Sequence, residues 1–243
     1  CDIEGIDALA KRHGIQVIYD AAHGFGVQHK GQALASYGDM AILSFHATKL
    51  FTTAEGGAVV SHTPEHHERI RFLKNFGIAD EETVIGPGIN GKMNELQAAL
   101  GILQIERVER EIDGRRAVAA YYGECLGEIA GLELPAPPPD TEPNWAYFPV
   151  RIDAETYGVA RDAVYTALKC FNVHARKYFY PLCSHAPCYA SLPSTDPARL
   201  PVAERVAGEV LCLPMYADLD EEAQGTICTV LESLPGLAET ARS

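Results

Sequence analysis

Two short strand-like runs, each ending in a polar group, constrain this chain most. Gln16-Val17-Ile18-Tyr19 runs into Asp20-Ala21-Ala22-His23, and Met40-Ala41-Ile42-Leu43 runs into Ser44-Phe45-His46-Ala47-Thr48-Lys49. Runs this short suit buried strands better than helices. Ahead of the first, Ile3, Ile6, Leu9 and Ala10 recur at helical spacing, with Asp2 as a cap and Gly14 as a stop. Residues 3–60 therefore alternate helix and strand, which predicts α/β packing. In an open α/β sheet the polar chemistry collects at the carboxyl ends of strands. Asp20 and Lys49, remote in sequence, are thus expected to share one crevice.

Further along, Thr63-Pro64 predicts the start of a charged helix reaching Phe76-Gly77, with proline at the first helical position. Residues 78–91 read as an irregular loop. Asn94-Glu95-Leu96-Gln97 has the form of a capping box. A long helix is expected from there to about Asp113, continuing with a bend to Leu126. Five prolines between Pro135 and Pro143 mark a linker or a surface excursion. Strands are expected at 147–152 and 173–180 and a helix at 159–168, with 202–211 and 221–234 completing an α+β module. The fold class expected from this pattern is α/β: a mixed sheet with flanking helices, then a smaller C-terminal α+β domain. The expected division is 1–107 for the large domain and 108–243 for the linking helix and small domain.

Thirty-three acidic against 20 basic side chains give a formal charge of −13, with no dense cationic block to offset it. Duplex binding rests on clustered cations that neutralise phosphates, so nucleic acid is not an expected partner. Seven scattered cysteines do not form the dense, even framework of a small secreted domain, and a reducing cytoplasm is expected. No apolar run has the length of a membrane span. Cys183, His185 and Cys188 are metal-capable, yet zinc normally takes four ligands and no second cluster matches them, so no metal is expected. His62, His66 and His67 read as solvated groups around a helix start.

A lysine and a carboxylate at neighbouring strand ends suit pyridoxal phosphate. The lysine forms a Schiff base with the aldehyde, and the carboxylate keeps the pyridine nitrogen protonated, so that the ring accepts electrons. A lone lysine in a polar loop is ordinarily just solvated. Here it follows a buried strand and precedes Glu55-Gly56-Gly57, whose glycines permit close backbone approach.

These motifs, with Asn90-Gly91-Lys92-Met93-Asn94-Glu95-Leu96-Gln97-Ala98-Ala99, resemble the DegT/DnrJ/EryC1/StrS aminotransferases, pyridoxal-phosphate enzymes of nucleotide-linked ketosugars. The likeness continues through Tyr178-Phe179-Tyr180-Pro181-Leu182 and Leu200-Pro201-Val202-Ala203-Glu204 to Leu213-Pro214-Met215-Tyr216. It implies that Lys49 is the Schiff-base lysine and Asp20 the partner of the pyridinium nitrogen. By the same resemblance His23 lies near the cofactor's phenolic oxygen and Ser44 bonds its phosphate. Asn90 would reach the phosphate in a neighbouring subunit's site, which implies a homodimer with composite sites. Dehydratase relatives carry histidine in place of the lysine, so Lys49 implies transamination, with glutamate as the expected amino donor and a keto-deoxysugar as acceptor.

His46 is open between touching substrate and filling the loop. Arg176, Lys177, Tyr178 and Tyr180 are candidates for the sugar nucleotide, since cations suit a diphosphate and tyrosines stack on bases; an ordinary strand of alternating exposure explains the spacing equally well. Family members carry an additional N-terminal segment with a Gly-Thr phosphate turn, and Cys1 is expected to lie inside the large domain, leaving this stretch inactive alone. Two other readings compete: a pyridoxal-phosphate-binding sensor that does not turn over, and an interaction domain.

Overall fold

The computed structural model describes residues 1–240. In chain order the elements are α1 (Ile3–His13), β1 (Ile18–Asp20), β2 (Gln28–His29), β3 (Gln32–Ala33), β4 (Met40–Ser44), β5 (Gly57–Ser61), α2 (Pro64–Leu73), α3 (Glu95–Ile105) and α4 (Val108–Leu126). There follow β6 (Leu132–Glu133), β7 (Thr141–Glu142), β8 (Phe148–Ile152), α5 (Ala154–Tyr157), α6 (Arg161–Cys170), α7 (Pro201–Glu209), β9 (Val210–Leu213) and α8 (Glu221–Thr240). The chain forms two compact units. One comprises Cys1–Ile112 and Pro137–Asn144; the other comprises Asp113–Ala136 and the described residues from Trp145 onward.

In the first unit, α1 has the bounds its caps predict. The Asp2 carboxylate accepts from the Gly5 amide at 2.9 Å, and Gly14 closes the helix in the left-handed region at φ 64°. Lys11, Arg12 and His13 occupy the last turn, where cations complement the helix dipole. The main sheet has the order β1-β4-β5, with β1 parallel to β4 and β5 antiparallel to it. Here the expected glycines act: a Cβ on Gly57 would lie 2.7 Å from the Leu43 carbonyl oxygen, so only glycine lets β5 close on the end of β4.

The proline-rich stretch is an excursion that returns to this unit. Its β7 adds to a small antiparallel sheet of order β3-β2-β7, pairing Gln28 with Glu142 and His29 with Thr141. Prolines flank the added strand, where their missing N–H groups cost no ladder bond.

Thr63 caps α2 through the His66 amide at 3.2 Å, with Pro64 at the first position, but the helix stops at Leu73, short of Gly77. Asn94 and Gln97 form the expected reciprocal capping box, at 2.9 and 3.2 Å. The single long helix expected beyond it is two. The Arg107 amide turns back to the Gln104 carbonyl at 3.0 Å, and α4 starts anew at Val108. No glycine or proline marks that break.

The second unit is built on an antiparallel sheet of order β6-β8-β9. Along β8, Phe148, Val150 and Ile152 are buried and alternate with half-buried Pro149 and Arg151, while all four residues of β9 are buried. Phe148, Val150, Ile152, Leu211 and Leu213 share a core with Tyr122, Leu126, Tyr157, Val164, Leu168, Ile227 and Leu231. Full burial of such side chains is worth about 1.5–3 kcal/mol each. The strand expected over 173–180 does not form. One bridge, Arg176 to Cys212, is followed by turns closed from Tyr178 N to Arg176 O (3.1 Å) and from Tyr180 N to Lys177 O (2.8 Å). These turns consume the backbone groups a ladder would need, and Pro181 has none to give. Among the described residues no helix is long and apolar enough to cross a membrane.

Candidate active site

The parallel register of β1 and β4, Ile18 with Met40 and Asp20 with Ile42, brings both carboxyl ends to one edge of the sheet. The Ala21 amide extends the pairing to the Ile42 carbonyl at 3.0 Å. Beyond it the chain turns, with the Gly24 amide on the Ala21 carbonyl at 2.8 Å and the Ala22 amide on Asp20 Oδ1 at 3.0 Å. One carboxylate oxygen of exposed Asp20 is thus engaged locally, and Oδ2 is left for another proton donor.

On the other strand, β4 ends at Ser44 and the ladder to β5 continues through the Phe45 amide to the Gly56 carbonyl at 2.9 Å. Phe45 O then accepts from the Thr53 amide (3.0 Å) and Thr52 Oγ1 (3.1 Å), which closes residues 45–53 into a compact loop. Lys49 sits inside it, half-buried, its amide on the His46 carbonyl at 2.9 Å. The His46 amide donates to Ser44 Oγ at 3.4 Å, so the serine hydroxyl keeps its own proton for an anion.

His46 Nδ1 accepts from the Thr48 amide at 3.2 Å, which puts the ring proton of the neutral imidazole on Nε2; that edge lies 3.7 Å from Glu55 Oε1. Its Nδ1 thereby orders the loop, and its outer edge is exposed.

The deciding relationship is at His23. Loss of water around the ring is the first cause that lowers its proton affinity below the ordinary histidine value; the Lys49 cation lowers it further, while the Asp20 carboxylate raises it. The side chain keeps exposed surface on one side. Both Lys49 and Asp20 thus act electrostatically on the His23 ring.

Sequence reasoning passed over what supports these groups. Phe25 stacks on Phe51 at 4.3 Å and meets Phe45 edge-on at 5.8 Å, and Phe45 meets Phe51 at 4.7 Å. The three rings join the turn after β1 to the loop after β4. Buried Asn144 donates from Nδ2 to the carbonyls of His23 (2.8 Å) and Phe25 (2.9 Å). Its only sequence signal is an asparagine among prolines and aromatic residues.

Asn90 lies in the exposed 78–91 loop, where its backbone bridges to Asn75 and its Oδ1 accepts from Lys92 Nζ at 2.8 Å. Arg176, Tyr178 and Tyr180 belong to the second unit. The Arg176 guanidinium hydrogen-bonds the Tyr178 hydroxyl, and the exposed Tyr180 ring faces the Arg161 guanidinium at 5.3 Å. Lys177 is held by Asp162 at 2.7 Å. His185 pairs with Glu204 at 2.8 Å, while Cys183 and Cys188 are exposed and free.

A model of the DegT/DnrJ/EryC1/StrS aminotransferase family matches residues 1–232. The chain belongs to this family. Its members are pyridoxal-phosphate-dependent, and the mixed sheet followed by an α+β unit is part of their fold-type I architecture. The dTDP-4-amino-4,6-dideoxy-D-glucose transaminase of Escherichia coli is 44% identical over 225 residues, covering 91% of this chain and 60% of that protein. The transaminase of the same name from Shigella dysenteriae is 37% identical over 234 residues, covering 96% and 63%. Among solved structures, DesI in the presence of its TDP-sugar product is 33% identical with a TM-score of 0.88, covering 100% of this chain and 62% of that one. The aminotransferase TlmJ from Streptoalloteichus hindustanus is 30% identical with a TM-score of 0.85, covering 99% and 63%. The chain thus spans about 60% of the length of the curated relatives it matches.

Proposed function

We propose that this chain carries the cofactor-anchoring residues of a pyridoxal-phosphate-dependent aminotransferase that passes an amino group to a nucleotide-linked keto-deoxysugar. The observation that carries the reading is the parallel register of β1 and β4, which brings Asp20 and the loop that holds Lys49 to one edge of the sheet. The donor set fits the cofactor: a primary amine, a carboxylate, an imidazole and a hydroxyl that retains its proton, all beside one sheet edge. When bound, pyridoxal phosphate supplies a conjugated ring that takes up the electrons of a carbon–hydrogen bond.

The residues then have distinct tasks. Lys49 Nζ would hold the group covalently, and its released amine, neutral, would accept a proton and as the ammonium give it back. Asp20 Oδ2 holds the proton on the ring nitrogen. His23 sits where an imidazole can hydrogen-bond the phenolic oxygen, and its lowered proton affinity keeps it neutral near pH 7. Ser44 Oγ donates to the phosphate. Asn90 serves the site of a second copy, making the active form a homodimer, and His46, Arg176, Tyr178 and Tyr180 bind the sugar nucleotide.

Glutamate is the amino donor in this reading. The names of the two transaminases above support a thymidine-diphosphate-linked 4,6-dideoxyhexose as the acceptor class. Residues 1–107 are taken as the cofactor-binding large domain and 108–243 as the linking helix and small domain, apart from the return at 137–144, which packs with the first unit. Seven free cysteines support the cytoplasm as its compartment.

The test uses protein expressed from the full reading frame. Wild type should show the visible absorbance of covalently held pyridoxal phosphate, and glutamate should convert it to the amino form. Lys49→Ala should abolish covalent attachment. Retained attachment in Lys49→Ala, or no spectral response of wild type to glutamate, overturns the proposal, the latter in favour of a binding protein without turnover.

A further inference from the structure

Asn144 is 5% exposed, one of few buried polar side chains, and it stands at the end of the return segment. That segment is fixed at the start of β7: the Lys30 amide donates to Asp140 O at 2.7 Å, and His29 Nδ1 pairs with Thr141 Oγ1 at 3.0 Å. From this anchored position the Asn144 amide nitrogen donates to two carbonyls that straddle Gly24, those of His23 and Phe25.

The geometry is specific to a primary amide. One nitrogen carries two protons at a fixed angle, and the two acceptors are separated by one residue of a tight turn. Gly24 between them is buried, and a Cβ there would meet Leu34 at 2.9 Å and the Ala21 carbonyl at 3.2 Å, so the turn has no room to relax sideways. Removing the amide leaves two backbone carbonyls without these donors in a largely dry setting, where each is driven to seek another partner. The turn they belong to carries His23 on one side and Phe25, the ring stacked on Phe51, on the other.

We infer that Asn144 is a positioning residue for the active site: through the carbonyls of His23 and Phe25 it holds the turn that seats the His23 imidazole at the sheet edge where β1 and β4 end. The inference rests on the aminotransferase reading for what His23 does, and on hydrogen bonds alone for how it is held. Asn144 touches no reacting atom and acts through the turn. Loss of water around the His23 ring is the main influence on its titration, with the charges of Lys49 from the 45–53 loop and Asp20 from β1 next, so that titration reports how the ring is seated.

The experiment follows His23 by NMR with ring-labelled histidine in cofactor-free protein from the full reading frame, the signal assigned with His23→Gln. Wild-type His23 should titrate below the ordinary histidine range. Asn144→Leu, which keeps the branching and lacks the donors, should raise that titration toward the unperturbed 6.5, leave the other eight histidines unmoved, and weaken pyridoxal phosphate binding about tenfold. A residue that only stabilised the fold would lower the melting temperature and leave His23 titrating as in wild type; that result overturns the inference. Should Asn144→Leu fail to fold, Asn144→Ser keeps one donor and carries the same readout, with a smaller shift expected. The titration needs no cofactor, so a wild-type protein that never holds pyridoxal phosphate covalently would sink the aminotransferase reading and still leave the role of Asn144 decided by His23.

Discussion

Phe25 lies on Phe51 with ring centroids 4.3 Å apart and planes 10° from parallel. Phe25 follows His23 on the turn after β1, and Phe51 follows Lys49 on the loop after β4, so one aromatic contact joins the two segments. Stacked pairs contribute about 0.5–1.5 kcal/mol beyond their buried area. A double-mutant cycle of Phe25→Leu and Phe51→Leu, read by urea unfolding, should return a coupling energy in that range. The His23 titration should move in each single variant, because each loosens one of the two segments. Additive single effects with an unmoved His23 would show that the rings merely fill space.

How much of this was legible in the sequence depends on distance along the chain. Local signals were read correctly: Asp2 and Gly14 bound α1, Thr63-Pro64 starts α2, and Asn94 with Gln97 caps α3. The strand ends that carry Asp20 and Lys49 were legible because a short apolar run followed by a polar turn is itself a local pattern. Asn144 was not, since its partners lie more than a hundred residues away and nothing in Pro143-Asn144-Trp145 states that the segment returns. The failed strand at 173–180 has the same origin. Its β-rich composition is a weak preference, overridden where turn bonds from Tyr178 and Tyr180 capture the backbone first.

A second prediction concerns a proline inside a helix. Pro235 lies in α8 and has no N–H for the carbonyl of Leu231, one turn earlier. The Tyr157 hydroxyl fills that vacancy, donating to Leu231 O at 2.5 Å from a buried position, and burial raises its own pKa to about 12. Tyr157→Phe should destabilise the protein by about 1–3 kcal/mol, the cost of an unsatisfied buried acceptor. In a Pro235→Ala background the helix can supply the missing N–H, and the Tyr157→Phe penalty should shrink. An equal penalty in both backgrounds would mean that the tyrosine acts through packing alone.

Acid should act through Asp162. Its carboxylate accepts from Lys177 Nζ at 2.7 Å and from Arg161 Nε at 2.6 Å; the hydrogen bond from Lys177 is the main cause holding its pKa below the usual 3.8. A carboxyl lowered on folding stabilises the fold above its unfolded pKa, and that stabilisation is lost as pH falls through the folded one. Wild type should therefore lose stability below about pH 4 more steeply than Asp162→Asn. At neutral pH the variant should be less stable by at most about 1 kcal/mol, since the carboxylate is exposed. Parallel pH-stability curves for the two proteins, measured by urea midpoints, would remove Asp162 from the account.

The last prediction separates the two jobs of the β4 terminus. Ser44 faces Gly57 across the ladder, and a methyl group on Gly57 would stand 2.7 Å from the Leu43 carbonyl. The atom it meets is backbone, which gives little room for relief, so Gly57→Ala should cost about 1–3 kcal/mol of stability. Because Ser44 ends the strand being pushed, the same variant should also weaken pyridoxal phosphate binding. Ser44→Ala removes only a hydroxyl, whose acceptor lone pairs serve the His46 amide at 3.4 Å and whose proton is assigned to the cofactor phosphate. A hydrogen bond to a charged group is worth about 1.5–3 kcal/mol, so Ser44→Ala should weaken cofactor affinity by roughly 10- to 150-fold with little change in the urea midpoint. If Ser44→Ala lowers stability as much as Gly57→Ala while cofactor affinity holds, the hydroxyl serves the loop, and the phosphate is bound by other groups.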